Sequence, residues 1–369
     1  MRRPLLALLA TVLATSLAGA ALAQSPAPER VVNVYNWSDY VDPKMLDAFT
    51  KETGIKVVYD TYDNNEIVET KLLAGKSGYD IVVPSGPFLQ RLVKAGVFQR
   101  LDKGKLPNLK NAWPEVSGRL AVYDPGNLYA VDYMWGTTGI GVNTVKVRER
   151  LGPDQPLNTW DLLLKPELSG KLKDCGIHVL DAPEDLFPNV LAYLGLNPDS
   201  KRQEDLNRAG DALFRVRGNV RKFHSSEYIN ALANGDICVA VGYSGDILQA
   251  KRRAEEAKNE VAVAYAIPRE GALMWFDSFA IPADAKNVAE AHAFIDYMLK
   301  PEVAAANTNV VAYASGNLAA KPMVKPEILN DPGVYPDEAT FKRLFTNTAY
   351  DERAQRVLTR LWTRVRTGR

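Results

Sequence analysis

Short apolar runs alternate along the chain with stretches in which apolar positions recur every three or four residues. Val31–Tyr35 reads as a strand. Asp42-Pro43 then opens a helix as N-cap and first helical residue, with Met45, Leu46 and Phe49 as its apolar stripe and Gly54 as its stop. Ile55–Tyr59 is predicted as a second strand, Glu66–Leu73 as a helix, Tyr79–Val83 as a third strand and Phe88–Ala95 as a helix closed by Gly96. This β-α-β-α-β order predicts a mainly parallel sheet with right-handed crossovers.

The pattern returns downstream. Ile177–Leu180 and Ile237–Val241 read as buried strands, with helices beginning near Pro183, Ser226 and Gly245. Ser225-Ser226 is the expected cap of a Tyr228–Ala233 helix, and Gly235-Asp236 the turn that leaves it. A strand over Trp275–Ile281 precedes a helix from Val288 to Leu299. From Pro322 onward the chain reads as mostly helical. It ends in a basic amphipathic stretch, Arg353 to Arg366, with Val357, Leu358, Leu361, Trp362 and Val365 at helical spacing. That pattern describes a packed helix with a solvated basic face rather than a membrane-binding one. Two α/β units result, with the extended stretches Leu128–Val142 and Ala264–Ile281 as the expected crossovers between them. Ligand sites in such folds lie at the carboxyl ends of strands and between domains.

The 369 residues suffice for two domains with proper cores, and 45 basic against 44 acidic side chains exclude a broad basic surface for nucleic acid. The first 23 residues carry Arg2 and Arg3, an apolar stretch from Leu5 to about Leu17, and Ala21-Leu22-Ala23 before Gln24, the signature of a cleaved signal peptide. No cysteine follows that site to carry a lipid anchor, and no later segment approaches the ~20 apolar residues that span a bilayer. The expectation is an exported, soluble protein. In an oxidising compartment Cys175 and Cys238 can pair, each lying at or just before a short apolar run, as on adjacent strands of one sheet; two separate buried thiols are the other reading.

Familiar enzyme signatures are missing. The three histidines, His178, His224 and His292, form no metal-ligand pattern. Gly242-Tyr-Ser-Gly-Asp246 has Asp where a nucleophile elbow ends in Gly, and Gly139-Ile-Gly141 has Thr144 where a dinucleotide fingerprint needs its third glycine. No cofactor or metal is expected. A carboxylate-dependent glycosidase needs no motif and stays open.

What stands out is aromatic residues beside small polar or acidic ones at strand-to-helix junctions. Asn36-Trp37-Ser38-Asp39-Tyr40 follows the first strand, Pro84-Ser85-Gly86 the third, and Asp181-Ala-Pro-Glu184-Asp185 the strand beginning near Cys175. Gly242-Tyr243-Ser244-Gly245-Asp246 follows the Cys238 strand, Trp275-Phe276-Asp277 opens another, and Tyr313 follows a helix. Singly, Asp39, Glu184 and Asp246 could be helix-terminus carboxylates, and Trp37 or Trp275 core residues. Together they read as a site for an organic cation, because aromatic faces attract ammonium groups by roughly 0.5–2 kcal/mol each and carboxylates bond the ammonium hydrogens. A flexible diamine needs acids at both ends and aromatic walls between.

At these residues the chain resembles the periplasmic putrescine- and spermidine-binding proteins of polyamine ABC transporters. The resemblance runs from about Arg30 to Arg369 and is most specific in Val34-Tyr-Asn-Trp-Ser-Asp-Tyr40, Gly136-Thr-Thr-Gly-Ile-Gly141, Leu180-Asp-Ala-Pro-Glu184, His224-Ser-Ser, Asn234-Gly-Asp-Ile-Cys238 and Phe276-Asp-Ser-Phe-Ala280. It implies a two-lobed, type II periplasmic binding protein fold of α/β class, each lobe a mainly parallel sheet flanked by helices. The first lobe would hold residues 29–136 and 277–320 and the second 137–276 and 321–369. The implied protein is a non-catalytic periplasmic monomer that delivers its ligand to an inner-membrane permease.

The resemblance also implies roles. Trp37, Tyr40 and Tyr313 would be cleft walls, Ser38 and Asp39 would contact or shape one end, and Ser85 would be a hydrogen-bonding position. Glu184 would hold one terminal amine, Asp246 and Asp277 the other, and Cys175 would pair with Cys238. Tyr243 stands where Trp is usual, and Trp275 where putrescine binders usually carry Phe. Trp275 is a spermidine-type choice and Ser38-Asp39 a putrescine-type one, so the expectation is a spermidine or dual putrescine/spermidine receptor. The rivals are a binding protein for a sugar or amine-bearing amino acid, the glycosidase, and a sensor on the same fold.

Overall fold

The computed structural model describes residues 29–369, so the expected signal peptide lies outside the described residues. Its strands are β1 (Val31–Trp37), β2 (Lys56–Tyr62), β3 (Ile81–Val82), β4 (Ala130–Asn143), β5 (Ile177–Val179), β6 (Lys222–Phe223), β7 (Val239–Tyr243), β8 (Val263–Ala266), β9 (Ala272–Ala280), β10 (Ala314–Ser315) and β11 (Leu344–Phe345). They are ordered β2-β1-β3-β9-β4-β7-β5-β6, with β8 and β10 also on β4 and β11 on β9.

The opening β-α-β-α-β unit is as the pattern predicts. β1 pairs in parallel with β2 and β3. The Asp42 carboxylate accepts from the Lys44 N–H at 3.0 Å, Pro43 takes the first helical position, and Gly54 at φ 69° closes the helix Pro43–Thr53. β7, β5 and β6 form a second parallel group. Between the groups the pairing turns antiparallel, because β9 and β4 run back through the middle.

β4 joins the two groups. Its first part, Ala130–Thr137, pairs with β9, and its second part, Thr138–Asn143, with β7 and β8. All fourteen of its residues are buried. Gly139 permits the close packing: a Cβ there would lie 2.4 Å from the Tyr265 hydroxyl and 2.7 Å from the Ala266 carbonyl oxygen. The Gly139-Ile-Gly141 pair is thus a packing device.

Cys175 and Cys238 sit in the turns that lead into neighbouring parallel strands β5 and β7 and form a disulfide, with Cα atoms 5.6 Å apart. The C-terminal helix Glu352–Thr367 buries Val357, Leu358, Leu361, Trp362 and Val365 and packs against the helix Gln203–Val216, an element the apolar pattern did not single out.

Two local expectations are corrected. Ser225 and Ser226 do not cap the helix Tyr228–Ala233; the His224 ring nitrogen Nδ1 accepts from the Ser226 and Glu227 N–H groups at 3.1 and 3.2 Å instead. The segment after Pro322 is not mostly helical before residue 352. It holds the short turns Pro326–Leu329 and Glu338–Phe341 and strand β11, because Pro332, Gly333 and Pro336 interrupt any longer helix. Among the described residues no helix is long and apolar enough to cross a membrane.

Candidate functional site

Strand ends from both groups meet at one cleft with about 530 Å3 of space not occupied by atoms. Trp37, Ser38 and Tyr40 reach it from the end of β1, Ser85 from the end of β3, Tyr243 from the end of β7 and Asp246 from the first turn of the helix Ser244–Ala257 that follows. Trp275 and Asp277 reach it from β9, and Tyr313 from the residues after the helix Pro301–Val311. Nine of the eleven residues expected from the sequence therefore line one cavity.

Their contacts form a continuous belt. The Tyr243 hydroxyl donates to Asp185 at 2.6 Å. The Tyr243 ring meets the edge of Trp275 at a centroid distance of 5.6 Å, and Trp275 meets Tyr313 at 5.2 Å. Tyr313 in turn meets Tyr40 at 5.2 Å and donates its hydroxyl to Asp246 at 2.7 Å. Tyr40 donates to Asp277 at 2.8 Å, and Ser85 donates to the other Asp277 oxygen at 2.6 Å. Three carboxylates thus punctuate a row of rings: Asp185 at one end, Asp246 and Asp277 at the other.

The positions are supported from behind. Asn65 brackets Ser85, donating to its hydroxyl and accepting from its N–H, both at 3.0 Å. Trp37 donates its indole N–H to the Val83 carbonyl at 3.0 Å while its ring leans on Tyr62. Tyr228 donates to Asp246 at 2.6 Å and accepts from the Tyr243 N–H at 3.1 Å. It reaches that far only because residue 242 is glycine, where a Cβ would lie 2.4 Å from the Tyr228 ring.

Burial raises the carboxyls: Asp185 and Asp277 are pushed up to about 7 and Asp246 to about 6. The donated hydroxyls hold each of them lower than burial alone would. Among the residues lining the cleft there is no lysine or arginine to neutralise these acids.

Two of the expected residues, Glu184 and Asp39, do not line this cavity. The buried Glu184 accepts from Arg91 at 3.0 Å on its Oε2, while Arg91 also grips both oxygens of Glu69 at 2.8 and 3.1 Å. Its neighbour Asp185 lines the cavity instead, since successive residues on a helix point about 100° apart. Asp39, in the left-handed conformation at φ 54°, pairs with Arg253 at 3.2 Å on the outer side of the cleft.

Sequence reasoning missed Asp185, Tyr62, Asp63, Ser225, Ser226 and Ile229 in the lining, and Tyr228 behind it. The adjacent acids Glu184-Asp185 were the one signal that a second carboxylate was available there.

Comparison with known proteins places this architecture. The profile of bacterial extracellular solute-binding proteins matches residues 44–336. The chain is 53% identical to the putrescine-binding periplasmic protein SpuD of Pseudomonas aeruginosa over 98% of each chain. It is 51% identical to the putrescine-binding periplasmic protein PotF of Escherichia coli, covering 96% of this chain and 97% of that one. Among solved structures, the spermidine/putrescine ABC transporter substrate-binding protein PotD of Streptococcus pneumoniae superposes with a TM-score of 0.74 at 32% identity, over 92% of this chain and 99% of that one.

Proposed function

The chain belongs to the family of bacterial extracellular solute-binding proteins, and from that premise we propose that it captures a polyamine, putrescine or spermidine, and hands it to an ABC permease. One observation carries the reading: three carboxylates, Asp277 buried and Asp185 and Asp246 half-buried, are interleaved with aromatic rings in a cleft whose lining supplies no lysine or arginine. Buried carboxylates without a counter-ion are costly, and an organic cation removes that cost. The two terminal ammonium groups would sit on Asp185 and on the Asp246–Asp277 pair, with Trp37, Tyr40, Tyr243, Trp275 and Tyr313 against the methylenes. Ser38 and Ser85 complete the polar edge.

The ligand space would lie between two lobes, residues 29–136 with 277–320 and residues 137–276 with 321–369. The change of partners along β4 between Thr137 and Thr138 supports that division. In this reading the protein is a periplasmic monomer with no catalytic step; the residues bind, orient and desolvate, and closing of the lobes completes the cage. The similarity to putrescine binders and the broad Trp275 ring together favour a receptor that takes both putrescine and spermidine.

Calorimetric titration of refolded, ligand-stripped protein with putrescine, spermidine and spermine tests this. One-to-one binding of putrescine and spermidine is expected. Absence of heat with all three, from protein shown to be folded, overturns the polyamine reading and points to sugar or amino-acid ligands.

A further inference from the structure

A fourth carboxylate lines the cleft, and a bound diamine leaves it unused. Asp63 directly follows β2 and shares the cavity with Asp185, Asp246 and Asp277. β2 is the edge strand of the first group, three places from the strand β9 that carries Asp277. At ~4.8 Å per strand, that places the two acids about 14 Å apart across the sheet. Trp37, at the end of the intervening strand β1, leans on Tyr62 with ring centroids 4.7 Å apart, and both rings line the same space.

The fold makes little use of this acid. Asn64, not Asp63, caps the helix Asn65–Leu73, its Oδ1 accepting from the Ile67 N–H at 3.0 Å. The Asn64 amide also donates to Asp63 Oδ1 at 3.3 Å, and Oδ2 has no protein donor among the described residues. Asp63 is half-buried, so it meets a ligand without the full cost of desolvation.

Putrescine brings two ammonium groups, for Asp185 and the Asp246–Asp277 pair. Spermidine carries a third, at the end of a three-carbon arm. Resting on the polyamine reading, we infer that Asp63 is the specificity-determining acid for a triamine. The four-carbon segment lies along the belt as putrescine does, with the secondary ammonium on Asp246 and Asp277, and the aminopropyl ammonium pairs with Asp63 in a charge-assisted hydrogen bond. Trp37 and Tyr62 cover the methylenes of the arm, and Ser226 and Ile229 line the space from the segment between β6 and β7.

Calorimetric titration of ligand-stripped wild type and Asp63→Asn tests this with putrescine, spermidine and N-propylputrescine, which keeps the arm and lacks its amine. Asp63→Asn should weaken spermidine roughly fivefold and leave the other two ligands within about twofold. Should Asp63→Asn fail to fold, Asp63→Ser carries the same comparison. Unchanged spermidine affinity overturns the inference. A loss shared equally with putrescine or N-propylputrescine overturns it too, because the acid would then act only through the general field of the cleft. Wild type that binds putrescine and not spermidine overturns the triamine assignment alone, whereas wild type that binds none of the three sinks the polyamine reading itself.

Discussion

The two ends of the aromatic belt are built differently. At one end Asp277 lies in a strand, with Tyr40 on one oxygen and Ser85 on the other, and Asp246 takes two tyrosine hydroxyls. At the other end Asp185 sits in the first turn of the helix Pro183–Tyr193 with the Tyr243 hydroxyl as its side-chain donor. Its neighbour Glu184 is fastened to Arg91, across the proposed lobe boundary. The first end is a rigid, pre-satisfied anchor; the second takes its geometry from a helix turn that the Arg91–Glu184 pair holds in place. Similar acids are thus held to different degrees, Asp246 and Asp277 each by two side-chain hydroxyls and Asp185 by one, and each carboxylate keeps acceptor capacity for an ammonium group.

The largest effect should come from the rigid end. Asp277→Asn removes one partner of a desolvated charge pair and should cost roughly 2–5 kcal/mol in putrescine binding, read by calorimetry with circular dichroism to confirm folding. Unchanged affinity would remove Asp277 from the site. At the other end Asp185→Asn should cost about 1.5–3 kcal/mol, the scale of a hydrogen bond to a charged group. Glu184→Gln should weaken binding less than Asp185→Asn, since it loosens the turn without touching the amine; the opposite order would return Glu184 to the ligand.

Protonation acts on both ends at once. Because burial raises Asp185 and Asp277 to about 7 and Asp246 to about 6, the free cleft holds protons that a bound polyamine must displace. Affinity should therefore rise between pH 5 and about pH 7.5 and then level, with up to a tenfold change per pH unit for each group released. The ligand-free protein should show the opposite trend. A carboxyl raised in the fold contributes stability below its unfolded value, and that contribution is lost as pH rises through about 6 to 7. Flat binding across this range, measured in two buffers of different ionisation heat, would contradict both trends.

Smaller effects sharpen the contrast. Trp275→Phe, between the two ends, should shift the spermidine-to-putrescine ratio by about 0.5–1.5 kcal/mol through lost ring area. Asp39→Asn removes a half-exposed pair with Arg253 and should change affinity by no more than about 1 kcal/mol. A loss as large as that of Asp277→Asn would restore Asp39 as a ligand residue.

Much of this was legible in the residues. Asp42-Pro43 and Gly54 marked a helix because capping is a matter of neighbouring backbone groups. The junction motifs pointed to the cleft because strand ends in such folds converge. What stayed hidden required contacts between distant positions. Tyr228 lies fifteen residues before the Tyr243 N–H it accepts from, and nothing local marks it as the backing of Asp246.

The sequence by itself determined the alternation of strands and helices, the pairing-competent cysteines and the set of acids and rings available for a cation, since each depends on residue type, spacing or near neighbours. Only the tertiary structure decided which acids line the cleft. Arg91 and Glu184 are 93 residues apart, and Tyr40 and Asp277 are 237 apart. Their contacts exist only after β4 and β9 bring the two strand groups together, which leaves Glu184 bonded to Arg91 and Asp185 lining the cleft.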